Sequence, residues 1–487
     1  MTPEEYCDCD ATDLAARVAS GEVHPRELVE AAVSAIERVN PQLNAVVYRM
    51  YDAATEAAAG ELPDGPLRGV PMVVKDFDGF VQGVPWTASS RFLEGFVPDH
   101  DSEAIARLRR AGLVFLAKTN LPELALVGTT EPQWRGPTRN PWSLEHSTGG
   151  SSGGSAALVA SRAVPVGHGG DGGGSLRIPG SHCGLVGLKA TRGRIPLGPD
   201  QGEGWGGYVQ WGVLTRTVRD TAALLDVLSG PMPGDPYHAP PPQRPFREEV
   251  GVDPGKLRIA WTPDPLFGEI THPDCRAAAE ATVAALEALG HHVTIARPDF
   301  DKATLVKAYL TQVAVGTAAE IDEFAALVGR APRASSFEDT TWMLAQIGRA
   351  MTGLELQHAR DAAQAAGRAM ARFHQAYDLL VTPTVAHPPI RIGELALSRG
   401  QRLGLAALRA APVRRVLRSL LDTLAEDNLE RTPNTQLFNQ TGQPAISLPM
   451  ALSEEGLPVG VQLVAPMGGE ATLIRVASQL EQAAPWA

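Results

Sequence analysis

Apolar residues recur at helical spacing from about residue 11 to residue 40, at Leu14 and Val18 and then at Leu28, Val29, Ala32, Ile36 and Val39. Gly21 and Pro25 divide this stretch into two helices, and Asn40-Pro41 is expected to close the second. The pattern then changes. Gly69-Val-Pro-Met-Val-Val-Lys75 is a short, β-branched apolar run ending in a charge, which predicts a buried strand. A helix over 104–111 leads into a second strand, Leu113–Lys118. Farther along, a strand at Leu257–Trp261, a helix around Cys275–Leu289 and a strand at His292–Ile295 form a βαβ-like unit. Residues 302–377 carry helical periodicity, Asp378–Thr382 reads as a strand stopped by Pro383, and two more strands follow at Gln443–Leu448 and Val459–Val464.

Strands and helices in alternation predict an α/β protein: one large domain over 1–487, with a mixed twisted β-sheet covered by helices on both faces. Within it, 1–60 is expected to form an N-terminal helical cover, 65–230 the core, and 300–377 a helical region walling the substrate site. Residues 231–245 are Pro-rich and read as an exposed, extended connection. No fixed-period repeat is visible.

Residues 147–194 differ in kind. They are dense in Gly and Ser, yet apolar segments at Ala156–Ala160, Ala163–Val166 and Leu185–Leu188 run through them. A flexible linker would lack those segments. Glycine between apolar elements implies tight turns packed against a core or a ligand.

Composition narrows the function. A formal charge of −12 argues against a nucleic-acid partner, which requires a basic surface. The N-terminus is acidic and polar, unlike a secretory or mitochondrial leader, and no apolar run reaches the length of a membrane span. The expected compartment is the cytoplasm. Cys7, Cys9, Cys183 and Cys275 make neither a disulfide framework nor a paired zinc motif. Lysine occurs only at 75, 118, 189, 256, 302 and 307. Arginine does not deprotonate in a protein, so an amine base has few candidates.

Two serines stand in glycine-rich settings, Gly149-Gly-Ser151-Ser-Gly-Gly154 and Asp171-Gly-Gly-Gly-Ser175. A nucleophilic serine needs a base and N–H donors for the oxyanion. The glycines before Ser175 suit the donors, and Lys75 suits the base, because burial disfavours its charged form. Three rival motifs compete. Gly167-His-Gly169-Gly-Asp-Gly172 matches a dinucleotide fingerprint, but that needs a helix opening directly afterwards, and Ser175-Leu-Arg-Ile-Pro179 follows. Gly149-Gly-Ser151-Ser-Gly153 matches a hydrolase elbow, but that needs a strand upstream, and 140–146 reads as a loop. His146, His168 and His182 invite a Ser-His-Asp triad, though they read better as loop or core residues. No P-loop and no H-E-x-x-H pair is present.

Residues Gly149–Ala156, Gly172-Gly-Gly-Ser-Leu-Arg177-Ile-Pro179 and Cys183-Gly-Leu-Val-Gly-Leu-Lys189 together resemble the amidase-signature family. So do the Lys75-Asp76 block, Lys118-Thr-Asn-Leu-Pro-Glu123, Asp378–Pro383 and Phe438–Pro444, in the same order along nearly the whole chain. The resemblance implies that Lys75 is the catalytic lysine, Ser151 a serine with a cis peptide bond and Ser175 the nucleophile. It implies an oxyanion hole from the N–H groups of Gly172, Gly173, Gly174 and Ser175, with Asp171 and Arg177 bracing the loop. It implies no cofactor and no metal, a small-molecule amide as partner, and a homodimer among the assemblies allowed. Lys118 and Lys189 are rival lysines, expected to be structural and to bind carbonyl groups. Two departures stand out. Gly170 replaces the usual Thr or Ser before Asp171, removing a hydroxyl, and Thr148 stands where Pro is common.

The mechanism implied is acyl transfer: neutral Lys75 takes a proton from Ser151, which takes one from Ser175 as it attacks the amide carbon. Ile178, where amidotransferase A subunits carry Gln, weakens the alternative of a glutaminase-type subunit needing partners. The runs Thr130–Trp142 and Gly198–Trp205 are similar to stand-alone bacterial amidases, among them those acting on cyclic or linear aminohexanoate (nylon) oligomers. Substrate walls are expected from 125–131, 205–211 and 302–350.

Overall fold

The architecture comes from a computed structural model, which describes residues 1–486 apart from 397, 399, 402, 403, 406, 407, 409–413 and 431. Among the described residues thirteen strands occur in chain order: β1 (Val46–Arg49), β2 (Pro71–Lys75), β3 (Val114–Thr119), β4 (Arg139–Asn140), β5 (Ser143–Ser147), β6 (Val166–Asp171), β7 (Val186–Lys189), β8 (Gln210–Thr215), β9 (Arg258–Trp261), β10 (His292–Ile295), β11 (Leu379–Pro383), β12 (Ala445–Leu452) and β13 (Pro458–Val464). Eleven of them form one mixed sheet in the order β1-β3-β2-β6-β8-β7-β12-β13-β11-β9-β10. β2 pairs in parallel with both β3 and β6, and β9 in parallel with β10 and β11, while the strands between are antiparallel.

Both β2 and β6 are buried along their whole length, as expected of parallel strands covered on two faces. The single large α/β domain expected from the alternation of elements is present. The N-terminal segment is not wholly helical, however. β1 adds an antiparallel edge beside β3, with Val46 opposite Thr119.

The second N-terminal helix also runs past its expected end. It starts at Pro25 with a capping box from His24 and Glu27, and it continues through Pro41 to Leu43. Asn44, in the left-handed conformation at φ 52°, closes it. Pro41 is tolerated because it sits in the last turn, and the Asn40 side chain accepts the N–H groups of Ala45 and Val46 at 2.9 Å each.

Segment 140–146, read from sequence as a loop, falls within the two-stranded β4–β5 pair. The helical region is as expected: Lys302–Val328, Asp339–Ala350 and Gly353–Ala376.

Candidate active site

Parallel β2 and β6 are neighbours and end at the same edge of the sheet, which brings Lys75 beside the turn that follows Asp171. Crevices beyond the carboxyl ends of parallel strands are where open α/β sheets bind ligands. A third segment arrives there from the helix Gly153–Ala160, whose first turn is preceded by Ser151 and Ser152. The Gly150–Ser151 peptide bond is cis.

Lys75 is buried, and its Nζ donates to Ser151 Oγ at 2.9 Å. It also forms an ion pair of 2.6 Å with Asp78 Oδ2. Ser152 N–H donates to the Ser175 carbonyl at 3.3 Å, which ties the two glycine-rich segments together. Lys75, Ser151 and Ser175 all line one cavity of about 180 Å³.

The turn 172–175 is held by a buried polar knot. Asp171 and Arg177 are both fully buried and paired at 2.8 and 2.9 Å. Asp171 Oδ1 accepts the Gly174 N–H at 2.7 Å, and Gly174 takes φ +131°, a region glycine enters freely. That bond commits the Gly174 N–H away from any oxyanion, which removes Gly174 from the expected set of four donors. Arg177 further donates to the Thr435 carbonyl, Gln462 Oε1 and Asn439 Oδ1 at 2.9, 2.8 and 2.7 Å. Burial alone would raise the Asp171 carboxyl, but the Arg177 charge and the Arg177 and Asn439 hydrogen bonds outweigh it and hold it at about 2.

The rival motifs resolve in structural terms. Gly167 and Gly169 lie inside β6 rather than in a loop after a strand. A helix opens only at Arg177, five residues after Gly172, and the dinucleotide fingerprint fails because its first two glycines are strand residues. Similarly, β5 does precede the Ser151 segment, so the absence of an upstream strand is not what separates it from an elbow. Of the histidines, none lines the cavity. His146 meets Ser143 at 2.8 Å, while burial pushes His168 down to about 3 and His182 to about 4, leaving both neutral near pH 7.

Lys189 Nζ donates to the Ala190 carbonyl at 2.9 Å, the kind of partner expected of it. Lys118 instead faces a carboxylate, Asp76, at 3.6 Å. Burial drives Asp76 up and Lys118 down, and the charge of each opposes the shift of the other.

The cavity wall includes Ala125, Trp205, Val209 and Trp211, and from the long helix Glu320, Glu323, Phe324 and Leu327. These fall in the three expected segments. Missed from sequence were Phe77, Asp78, Phe80 and Trp86, which follow β2, and Asp200. An aromatic-rich run directly after a strand-ending lysine was the available signal. Trp86 is packed edge-on against Phe80 and Phe324, at 5.1 and 5.4 Å between ring centres. Burial pushes the Glu320 carboxyl up to about 8.

Among the described residues no group of His, Cys, Asp and Glu could hold a metal ion, and no helix is long and apolar enough to cross a membrane.

Comparison with known proteins agrees over nearly the whole chain. The Amidase family model matches residues 27–474. The 6-aminohexanoate-cyclic-dimer hydrolase of Pseudomonas sp. (strain NK87) is 41% identical over 98% of this chain and 95% of its own length. The putative amidase AmiC of Mycobacterium tuberculosis (strain ATCC 25618 / H37Rv) is 36% identical over 99% of this chain and 95% of its own. The structure of a 6-aminohexanoate cyclic dimer hydrolase complexed with substrate superposes with a TM-score of 0.90 at 40% identity, covering 98% of this chain and 97% of that one. On the family match and these relatives, the chain belongs to the amidase-signature family of amide hydrolases.

Proposed function

We infer that this protein hydrolyses a carboxamide through an acyl-enzyme on Ser175, with Ser151 and Lys75 relaying protons. The observation that carries this reading is the 2.9 Å hydrogen bond from Lys75 Nζ to Ser151 Oγ, with Ser175 on the wall of the same cavity. Ser175 Oγ attacks the amide carbon and its proton passes to Ser151, whose own proton passes to Lys75. The carbonyl π pair moves to oxygen, and the oxyanion meets the backbone N–H groups of Gly172, Gly173 and Ser175, the three left once Gly174 is committed to Asp171. Asp171 and Arg177 brace this turn. The proton returns through Ser151 to the leaving nitrogen, and water clears the acyl group by the reverse path.

The amide is a cyclic or linear aminohexanoate oligomer. Supporting this are the 41% identical relative named for the cyclic dimer and a compact cavity walled by Phe77, Phe80, Trp86, Trp205, Trp211 and Phe324. The test is a panel of aminohexanoate, anilide and amino-acid amides read by mass spectrometry, with fluorophosphonate labelling in parallel. Release of aminohexanoate products together with a label on Ser175 is expected. A label on Ser151 or Ser152 would remove Ser175 from the nucleophile's role.

A further inference from the structure

Lys75 is bracketed by two partners. On one side is Ser151 Oγ; on the other is Asp78 Oδ2, 2.6 Å away. Both ends of that ion pair are almost sealed from solvent, with Lys75 1% and Asp78 4% exposed. Asp78 lies just beyond the end of β2, in the turn that passes through Gly79 at φ +106°.

The carboxylate is seated against β6 at Gly170. A Cβ on residue 170 would lie 2.5 Å from Asp78 Cγ and Oδ1 and 2.8 Å from Oδ2, closer than real Cβ contacts come. Glycine at 170 and aspartate at 78 therefore form a matched pair across neighbouring strands. The hydroxyl whose loss the sequence suggests at 170 is replaced in space by a carboxylate.

A lysine bound to a carboxylate is not a free amine, yet the relay needs an amine lone pair on Nζ. We propose that Asp78 is the positioning residue that takes the proton Lys75 sheds on becoming the base, making the relay Asp78–Lys75–Ser151–Ser175. The proposal rests on the Ser175 reading above. Asp78 Oδ2 makes no hydrogen bond as it stands, so an N–H of Lys75 first turns onto it; that N–H bond then breaks and an O–H bond forms on Oδ2, which converts the ion pair into a neutral amine and a neutral carboxylic acid. Between two side chains this deeply buried the exchange removes two charges rather than exposing one. The Nζ lone pair then accepts the Ser151 proton, Ser151 Oγ accepts the Ser175 proton, and Ser175 Oγ bonds to the amide carbon as the carbonyl pair moves to oxygen. The oxyanion is thus balanced by a lysine ammonium, and no proton has been exchanged with bulk water.

The neighbouring groups leave this pair as the local proton store. From β3, Lys118 is engaged by Asp76 at 3.6 Å. From β6, His168 is buried with neither ring nitrogen hydrogen-bonded and is neutral near pH 7. From the helix Lys302–Val328, the Glu320 carboxyl is held protonated near pH 7 by burial.

The experiment is the pH dependence of kcat/KM for the full chain on an amide it hydrolyses, comparing wild type, Asp78→Asn and Gly170→Ala. Asn keeps the shape of Asp but cannot store a proton, so Lys75 must discharge to bulk water. Asp78→Asn is expected to move the acid limb at least 2 pH units to alkaline, with activity near pH 7 down about 100-fold and partly restored at high pH, and KM within about threefold. Gly170→Ala, which displaces the carboxylate, should shift the limb in the same direction. An acid limb at the wild-type pH in Asp78→Asn, whether its overall rate is lowered or not, overturns the proposal. If Asp78→Asn does not fold, an unshifted limb in Gly170→Ala overturns it. The two readings fail separately: loss of the fluorophosphonate label from Ser175 removes the nucleophile, whereas an unshifted limb with Ser175 still labelled removes only the role of Asp78.

Discussion

Ser152 N–H donates to the carbonyl oxygen of Ser175 at 3.3 Å, a backbone tie between the segment that carries Ser151 and the segment that carries Ser175. Because the bond is made by backbone, it survives changes to either serine side chain. Ser151→Ala and Ser175→Ala should therefore fold as the wild type does, while each lowers kcat by about three orders of magnitude or more. His146→Ala and His168→Gln should keep most of the activity, since neither histidine reaches the cavity. Steady-state rates with circular dichroism of each variant check this; an essential histidine beside a dispensable Ser151 contradicts the relay.

Lys75→Arg keeps a cation opposite Asp78 but has no proton to lose. Its kcat should fall to the level of Ser151→Ala, at every pH up to about 10. A rate within tenfold of wild type would exclude Lys75 as the base.

The Asp171–Arg177 knot makes a pH-dependent contribution to stability. The Asp171 carboxyl is held at about 2, below its ordinary 3.8. A depressed carboxyl stabilises the fold fully above the unfolded value, and that contribution is lost as pH falls from about 4 to about 2. The span corresponds to about 2 kcal/mol. Urea titrations at pH 6 and pH 3 should show this loss in the wild type, and Asp171→Asn should be less stable at pH 6 and show less of the decline.

Glu320 acts in the opposite sense. Its carboxyl is raised to about 8, so the folded state keeps a proton that the unfolded state releases above about 4.5. The contribution is complete below the unfolded value and is lost as pH rises to about 8. Because Glu320 lines an open cavity, the effect is on the order of 2 kcal/mol rather than the full shift. Glu320→Gln should flatten the decline in denaturant midpoint between pH 5 and pH 8; an unchanged slope would assign the decline elsewhere.

Trp205 narrows the cavity. A Cβ on Gly172 would lie 2.9 Å from its ring and one on Gly316 2.5 Å from Cδ1, so the indole is wedged between the catalytic turn and the long helix. Trp205→Ala should lower kcat/KM for compact aminohexanoate amides about 10-fold or more while raising it for bulkier anilides. The ratio of the two rates measured on one preparation is the readout.

Much of this was legible in the sequence because the signals are local. The run 69–75 is apolar, β-branched and charge-ended, and it became β2 with Lys75 at its tip. The Asp171–Ser175 glycines became a turn whose geometry glycine supplies. What could not be read depends on which strands are neighbours. Asp78 and Gly170 are unremarkable singly, and their match exists only because β2 lies beside β6. The β4–β5 pair was misread for a related reason: two residues opposite a short partner carry too little periodicity to distinguish strand from loop. Gly174 looked like an oxyanion donor until the Asp171 side chain was seen to occupy its N–H.

Arg177 reaches across the chain to Thr435, Asn439 and Gln462, which lie 258, 262 and 285 positions later. The turn at 172–175 is therefore closed by residues synthesised well over 200 positions after it. A nascent chain can pair β2 with β6 early, but until β13 is added Arg177 lacks Gln462, one of its side-chain acceptors, deep in the sheet. The long loop closure this demands is entropically late. Catalytic competence should accordingly wait until β13 has docked, so that turnover itself reports that this strand is in place.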